Sequence, residues 1–197
     1  YSLIKYKADT FKPWTTKSKA LLMLIYGLAG VSLCQFLYFL TIQLSNAAMG
    51  TILQDLAPAM ILIYTCIVAK RRPEPIEIVA IIMALCGVYF ITTHGNINYL
   101  KLPLPALLVG IGSAICVTIY NVTAPKLTNE NPVIVIQGWS FLMGGIILAL
   151  IFKTWKINYV PNIYGILGIA FVVLVGNILA FTLYISGVAI IGPNRAS

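Results

Sequence analysis

The chain has 197 residues, of which 60% are hydrophobic and only 9% are charged, and its formal net charge at pH 7 is +8. Soluble globular domains carry about 25% charged residues. A mean hydropathy of +0.94 therefore excludes an ordinary soluble enzyme or nucleic-acid-binding domain, and it also excludes a disordered chain, which needs low hydrophobicity. These properties indicate a protein that crosses a lipid bilayer several times.

The first nineteen residues differ from the rest of the chain because they are polar and rich in lysine. A signal peptide has an apolar core of about 7–15 residues, whereas this segment has none and begins with Tyr1. We therefore interpret residues 1–19 as a basic cytoplasmic segment, and we expect the chain to be an internal piece of a longer protein.

Long runs without charged residues follow this segment, separated by short polar or charged turns. A helix needs roughly 20 apolar residues to cross a hydrocarbon core of about 30 Å, so these runs predict six transmembrane helices and the start of a seventh near residue 194. Backbone groups in lipid find their partners within the helix itself, which predicts an all-α polytopic bundle. The predicted spans are 20–43, 47–69, 76–93, 103–124, 132–152 and 163–189.

The basic residues indicate the orientation of this bundle, because cytoplasmic loops carry an excess of Lys and Arg. With six spans, ten of the thirteen basic residues fall on the same side of the membrane as residues 1–19. We therefore predict that residues 1–19 and the turn at 70–72 are cytoplasmic, and that the turn at Ser45-Asn46 is external.

Polar side chains interrupt the first two predicted spans. Gln35 and Tyr38 are three residues apart and share one helix face. Asp55 lies about three residues, or ~4.5 Å, from the middle of its span, where a carboxylate is costly. Pro58 cannot donate a hydrogen bond to the carbonyl of Gln54, so this helix should expose polar groups inside the membrane. We predict a transport pathway here; the alternative is a protonated Asp55 that pairs structurally with a neighbouring helix.

The later spans carry further polar and aromatic residues. Tyr120 lies on a polar face of the fourth span, and Gln137 lies deep enough in the fifth to need a partner, with Trp139 beside it. Asn177 and Tyr184 are seven residues apart on one face of the sixth. We predict that these residues line the same pathway. The alternatives are that the polar groups only hold helices together, and that Trp139 belongs to an interfacial aromatic belt.

The first and sixth spans resemble each other at an offset of 146 residues. The segments Gly30–Tyr38 and Gly176–Tyr184 share Gly, Leu, Leu and Tyr at four of nine positions. Because the sixth span is five crossings after the first, the two copies run in opposite directions. Inverted repeats of this kind are typical of secondary transporters.

The order of motifs along the chain is more specific than any one of them. An aromatic-ended helix is followed by a small-residue turn, a helix with a central Leu-x-Pro, a charged turn, and a helix with two small residues seven apart. These features are Tyr38, Ser45-Asn46-Ala47-Ala48, Leu56-Ala57-Pro58, Lys70-Arg71-Arg72-Pro73-Glu74, and Ala80 with Gly87. In this order the chain resembles the EamA-type domain of the drug/metabolite transporter superfamily.

The resemblance implies a position within a larger fold. The family has ten helices in two inverted five-helix repeats, so this chain would carry helices three to eight and the start of nine. Residues 20–93 would be the three C-terminal helices of the first repeat, and residues 103–197 the truncated N-terminal part of the second.

The residues and the resemblance together predict a secondary transporter of the cytoplasmic membrane that moves a small polar or amphipathic metabolite by alternating access. Asp55 would bind a proton, another coupling ion or a cationic group. The amide side chains would hydrogen-bond to the substrate, and the aromatic side chains would stack on it or gate the pathway. A channel or a non-transporting membrane scaffold is the alternative.

An intramembrane enzyme is a weaker alternative, because one histidine and one acid deep in a span do not readily assemble a catalytic dyad. The four cysteines lack metal-binding spacing and are expected to pack as small residues. We therefore expect no metal, no organic cofactor and no nucleic acid, while a monomer and a homodimer both stay open.

Overall fold

A computed structural model of the chain describes residues 7–93, 103–156 and 162–192. These residues form six long helices and contain no β-strand, which confirms the predicted all-α bundle. The predicted start of a seventh helix, near residue 194, lies outside the described residues. The helices are α1 (Lys17–Leu44), α2 (Ala47–Ala69), α3 (Pro75–Thr93), α4 (Leu104–Thr128), α5 (Val133–Phe152) and α6 (Ile163–Ile191).

The described helices have the composition of membrane spans. All of them except α3 are long and apolar enough to cross a bilayer, and α3 contains a shorter apolar stretch, Pro75–Gly87. Large aliphatic side chains are exposed along the outside of the bundle, while Ser113, Asn121, Gln137 and Ser140 are buried within it. This distribution of apolar side chains outside and polar ones inside is the one expected of helices surrounded by lipid.

Two of the helices contain a π-helical segment in their interior. The segment in α1 is Ile25–Ser32, and the segment in α6 is Val172–Ala180. At the offset of 146 that relates the two copies in the sequence, residues 25–32 correspond to 171–178, so the two segments nearly coincide. Short π-helical segments inside α-helices occur frequently at functional sites. The two related helices therefore share a local backbone irregularity as well as a sequence pattern.

The turns between helices use ordinary capping chemistry. The side-chain oxygen of Asn46 accepts a hydrogen bond from the backbone N–H of Met49 at 2.9 Å, and Asn162 caps α6 in the same way at 2.8 Å. These caps explain why α2 and α6 begin where the sequence has a turn-forming Asn. Helix α4 continues through Pro125 to Thr128, four residues beyond its predicted end. One proline near a helix end removes a single hydrogen bond, which is too little to stop the helix there.

Glycine residues let α1 approach α4 and α5 closely. A Cβ atom at Gly30 would lie 2.7 Å from the Cβ of Tyr120, and one at Gly27 would lie 3.2 Å from the Cα of Ser140. Both separations are shorter than side chains normally allow, so these crossings require glycine. The three helices therefore form a tightly packed centre, and the buried polar residues lie in it.

Candidate functional site

The first polar cluster joins helices α1, α2 and α4. The side-chain amide of Gln54 donates to the hydroxyl oxygen of Ser113 at 3.1 Å and to the sulfur of Cys34 at 3.3 Å. Cys34 and Ser113 are themselves 3.8 Å apart and are both buried. We call these three residues the outer cluster, because they lie on the side of the bundle nearer the Ser45-Asn46 turn. Gln54, which we predicted as a site residue because of Pro58, therefore has two defined hydrogen-bond partners.

Helix α2 breaks immediately after Gln54. Its two halves are Ala47–Gln54 and Ala57–Ala69, and Pro58 is the second residue of the second half. The backbone N–H of Leu56 bonds to the carbonyl of Leu53 at 3.3 Å, a tighter turn than the α-helix makes. Since Pro58 has no N–H, the usual i+4 hydrogen bond to the carbonyl of Gln54 is absent.

Asp55 occupies this break. It is the residue that ends the first half of α2, and it is half-buried. Its carboxyl group makes no hydrogen bond or ion pair with the residues that the structure describes. The structural pairing with a neighbouring helix, which was the alternative explanation of this residue, is not formed among them.

The second polar cluster lies between α1, α4, α5 and α6. The hydroxyl of Tyr184 donates to the side-chain oxygen of Asn121 at 2.8 Å. The hydroxyl of Tyr26 has the Gln137 amide and Tyr184 as its electrostatic neighbours. We call these four residues the inner cluster.

Two members of the inner cluster, Tyr26 and Gln137, are buried beside each other and are short of hydrogen-bond partners among the described residues. Gln137 is 3% exposed and Tyr26 is 0% exposed. Among the residues that the structure describes, the hydroxyl of Tyr26 and both polar atoms of the Gln137 amide have no partner within normal hydrogen-bond geometry. One direct bond between these two side chains would still leave one amide atom of Gln137 unpaired. Because buried polar groups in proteins are nearly always paired, the hydrogen bonding of this cluster is incomplete among the described residues.

Aromatic rings surround the inner cluster. Phe181 stacks on Tyr184 with the ring centroids 6.3 Å apart, and it meets Tyr120 edge-on at 5.6 Å. Tyr120 is buried against Gly30, so it both closes the helix crossing and lines this cluster. The arrangement can hold a planar or apolar body beside the polar atoms.

The two clusters lie at different depths in the membrane. Ser113 of the outer cluster and Asn121 of the inner cluster are eight residues apart on α4, which corresponds to ~12 Å. Cys34 and Tyr26 are also eight residues apart, on α1. The layer between them is filled by buried residues, with Gly30 packed against Tyr120. The clusters therefore lie on opposite sides of a close-packed layer.

Trp139 has a role that the sequence did not predict. Its indole N–H donates to the backbone carbonyl of Thr10 at 2.8 Å. The rings of Phe11 and Trp14 meet the indole edge-on at 5.7 and 5.5 Å. These contacts hold a 3-10 helical segment, Lys7–Trp14, against α5. We call Lys7–Trp14 the amino-terminal segment.

The remaining predicted site residues are not gathered into one place. The hydroxyl of Tyr38 lies 3.4 Å from the hydroxyl of Thr51 on α2, whereas the hydroxyl of Tyr184 donates a hydrogen bond to Asn121 on α4. Gln35 and Asn177 are half-buried. Tyr38 is near the end of α1 at the Ser45-Asn46 turn, whereas Tyr184 is near the C-terminal end of α6, on the other side of the bundle. The structure thus does not bring these two residues to one cavity.

Ion pairs lie at the ends of the helices. Lys19, in the first turn of α1, pairs with Glu130 in the turn between α4 and α5, and this lysine lowers the pKa of the Glu130 carboxyl. Arg71 pairs with Glu77 after α2. Among the residues the structure describes, no group of three His, Cys, Asp or Glu side chains could hold a metal ion.

Comparison with known proteins identifies the family of the chain. The EamA-like transporter family model matches residues 3–93 and 104–197. The chain belongs to the EamA-like transporter family.

Two curated relatives are also similar to this EamA-like chain. The uncharacterized inner membrane transporter YicL of Salmonella typhimurium is 32% identical over 197 residues, which is 100% of the chain and 62% of the relative. The uncharacterized transporter YyaM of Bacillus subtilis is 21% identical over 189 residues, 92% of the chain and 61% of the relative. No solved structure matches the chain. The EamA-like chain thus spans about three fifths of the length of these relatives, and it is a multi-pass membrane protein.

Four residues of the clusters in this EamA-like chain, Cys34, Ser113, Tyr26 and Asn121, are not among the site residues predicted from its sequence. Cys34 was interpreted as a packing residue, and Tyr26 lies within an apolar run without a polar neighbour on its own face. A tyrosine hydroxyl nine residues inside a membrane span needs a partner, and that signal points to Tyr26. For Cys34 the sequence offers no comparable signal, because its partners come from two other helices.

Proposed function

We propose that the full-length protein is a secondary transporter of the inner membrane that moves a small polar or amphipathic metabolite by alternating access. Membership of the EamA-like family supports transport, and the printed name of the Salmonella relative supports the inner membrane. The incomplete inner cluster is the observation that carries the proposal, because a packing role gives Gln137 no reason to be buried and unpaired.

The position of the two clusters supports an alternating pathway. The clusters lie on opposite sides of the layer at Gly30 and Tyr120, and this layer closes the path between them. Opening one side while the other stays closed requires α1 to move relative to α4 or α6. The π-helical segment of α1 and the broken helix α2 are the places where the backbone is least regular, and irregular backbone inside a membrane is tolerated where it lines a cavity.

The substrate would interact with the inner cluster. The Gln137 amide supplies both a donor and an acceptor, and the hydroxyl of Tyr26 supplies one more of either. No charged side chain belongs to this cluster as the structure describes it, so a polar but uncharged part of the substrate would bind here. Phe181 and Tyr184 would contact its apolar part.

Asp55 would couple transport to a proton or another cation. Its carboxyl group is half-buried, it has no ion-pair partner among the described residues, and it follows Gln54, whose carbonyl lacks the hydrogen bond that Pro58 cannot donate. Intramembrane carboxyl groups in transporters commonly act as proton relays. Substrate hydrogen bonding and ion coupling would then be located on opposite sides of the packed layer.

We also propose a place for the chain in the ten-helix fold. Residues 20–93 would be the last three helices of the first repeat, and residues 103–197 the first part of the second. The division of the family match into two segments and the corresponding π-helical segments support this assignment. The side with ten of the thirteen basic residues would face the cytoplasm.

Uptake into liposomes tests the proposal. The full-length protein would be reconstituted and supplied with radiolabelled neutral, zwitterionic and cationic metabolites, with empty liposomes as the control. We expect saturable uptake of at least one class, with competition by its chemical relatives. Unsaturable conductance would indicate a channel, and no flux for any class would indicate a scaffold; either result would contradict the proposal.

A further inference from the structure

An apolar groove runs between the second half of α2 and helix α3, away from both polar clusters. Its volume is about 360 Å³. Its walls are almost entirely aliphatic, and several of its side chains are more than half exposed, among them Ile63, Ile67 and Ile82. The lining residues are Ala59, Leu62, Ile63, Cys66, Ile67, Pro73, Ile78, Ile81 and Ile82.

The groove has the dimensions of one membrane leaflet. From Ala59 to Ile67 it follows α2 for eight residues, or ~12 Å. Half of a hydrocarbon core is about 15 Å deep. An extended acyl chain can therefore lie along it from the end of the helix toward the centre of the membrane.

A rigid basic turn closes one end of the groove. The N–H groups of Lys70 and Arg71 bond back to the carbonyls of Ile67 and Cys66 at 3.2 and 3.0 Å. Lys70 adopts the left-handed conformation with φ of 50°. This pattern of two backbone hydrogen bonds ends α2 abruptly, so the residues of the turn stay at the mouth of the groove.

The charges in this turn are only partly balanced. The guanidinium of Arg71 donates two hydrogen bonds to Glu77, at 2.8 and 2.6 Å. Glu77, and to a lesser degree Glu74, raise the pKa of Arg71. In contrast, the exposed side chains of Lys70 and Arg72 have no hydrogen-bond or ion-pair partner among the described residues. Arg72 directly precedes Pro73, which lines the groove.

We propose that this groove binds one anionic phospholipid, with an acyl chain along α2 and the phosphate between Lys70 and Arg72. The apolar walls match the chain, and the two unpaired cations match the headgroup. Basic sites between transmembrane helices are known to hold anionic headgroups, and each nearby Lys or Arg contributes about fivefold in affinity. The site is independent of the proposed transport pathway.

Two native cysteines provide the test. Cys66 lines the groove, whereas Cys86 is exposed on α3 and does not line it. The full-length protein in neutral detergent micelles would be titrated with phosphatidylglycerol or phosphatidylcholine, and N-ethylmaleimide alkylation of each cysteine would be followed by peptide mass spectrometry. We expect phosphatidylglycerol to slow alkylation of Cys66 at least fivefold relative to Cys86, and phosphatidylcholine to have a much weaker effect.

Paired variants identify the headgroup contact. Lys70→Gln with Arg72→Gln should weaken protection by phosphatidylglycerol by about fivefold per cation lost. Lys153→Gln with Lys156→Gln, two exposed lysines after α5, should leave it unchanged. Equal protection by both lipids in the wild type would overturn the proposal without any variant. Protection that depends on protein concentration rather than on lipid would indicate a second copy in the groove, and protection in all conditions would indicate another part of the full-length chain; both would also overturn it.

Discussion

At the scale of single residues, Gln137 links the sequence to the proposed chemistry. Its side chain is 3% exposed, and its amide has no partner within normal hydrogen-bond geometry among the described residues. A buried unpaired amide costs roughly 1–3 kcal/mol by mutational measurements. A side chain that only held the helices together would have paired, as Gln54 does with Ser113. We therefore interpret Gln137 as a residue that would hydrogen-bond to the substrate.

Gln137→Leu tests this interpretation. The change keeps the volume and removes the unpaired amide, so we expect transport to fall at least tenfold while the melting temperature stays equal or rises. Gln43→Leu is the matched control, because Gln43 is an exposed glutamine on α1 and its loss should change neither quantity. A Gln137→Leu protein that transports normally would show that the amide has no role in substrate binding.

The sequence could predict which residues are unusual but not which of them meet. Asp55 and Gln137 are recognisable because a polar group inside an apolar run needs an explanation. Their partners depend on how helices rotate and cross, which periodicity does not reveal. Cys34 joins Gln54 only because α1 and α2 both pack on α4, and Trp139 meets Thr10 only because the amino-terminal segment folds back onto α5.

At the scale of secondary-structure elements, the proposed mechanism depends most on the irregular helices. Helix α2 is broken at Asp55, and α1 and α6 contain π-helical segments at corresponding positions. The break was predictable, because Pro58 removes a specific hydrogen bond. The π-helical segments were not, since no single residue type encodes them. All three irregularities lie well inside the membrane-spanning helices.

Pro58→Ala tests the importance of the break. The new N–H could pair with the carbonyl of Gln54 and straighten α2, which we expect to raise the free energy of unfolding by about 1 kcal/mol and to slow transport several-fold. Pro105→Ala is the control, because Pro105 is in the first turn of α4, where a proline costs no hydrogen bond. Unfolding in denaturant and liposome flux would be measured on the same samples. Faster transport by the Pro58 variant would contradict a functional break.

The contact between Trp139 and the amino-terminal segment is a second prediction at this scale. Trp139→Phe keeps an aromatic ring beside Phe11 and Trp14 but removes the hydrogen bond to Thr10, worth about 1 kcal/mol. Hydrogen exchange of the amides in residues 8–16 should then accelerate about fivefold. Trp155→Phe, at a 64% exposed tryptophan after α5, should leave exchange unchanged. Unchanged exchange in both variants would show that the indole does not anchor the segment.

At the scale of the whole molecule, the number and order of helices followed from the sequence almost completely. Lipid leaves the backbone no partner outside a helix, so runs of about 20 apolar residues determine the fold class and the spans. Helix ends were less predictable, as the continuation of α4 through Pro125 illustrates. The crossing of α1 with α4 and α5 was not predictable, because glycines that mediate contact look the same in sequence as Gly145 and Gly168, which have open space beside them.

The orientation of the molecule can be tested with two exposed positions at opposite ends of α1 and α2. If the basic side of the bundle faces the cytoplasm as proposed, Thr16→Cys should react with an impermeant maleimide only in inside-out vesicles, and Ala47→Cys only in intact cells. The reverse pattern would invert the topology. Labelling of both sites from one side would contradict α1 as a membrane span.

The most direct test of the proposed transporter is proton-coupled flux at Asp55. Flux of the identified substrate would be measured in proteoliposomes with and without a pH gradient, for full-length wild type, Asp55→Asn and Asp55→Glu, together with the melting temperature of each sample. We expect Asp55→Asn to lose the response to the gradient, since Asn keeps the shape but cannot ionise, and Asp55→Glu to retain part of it. The melting temperature of the Asn variant should be unchanged or higher, because the cost of placing a carboxyl group in the membrane disappears. Normal gradient-driven flux in Asp55→Asn, or a lower melting temperature with flux per folded molecule intact, would contradict the account.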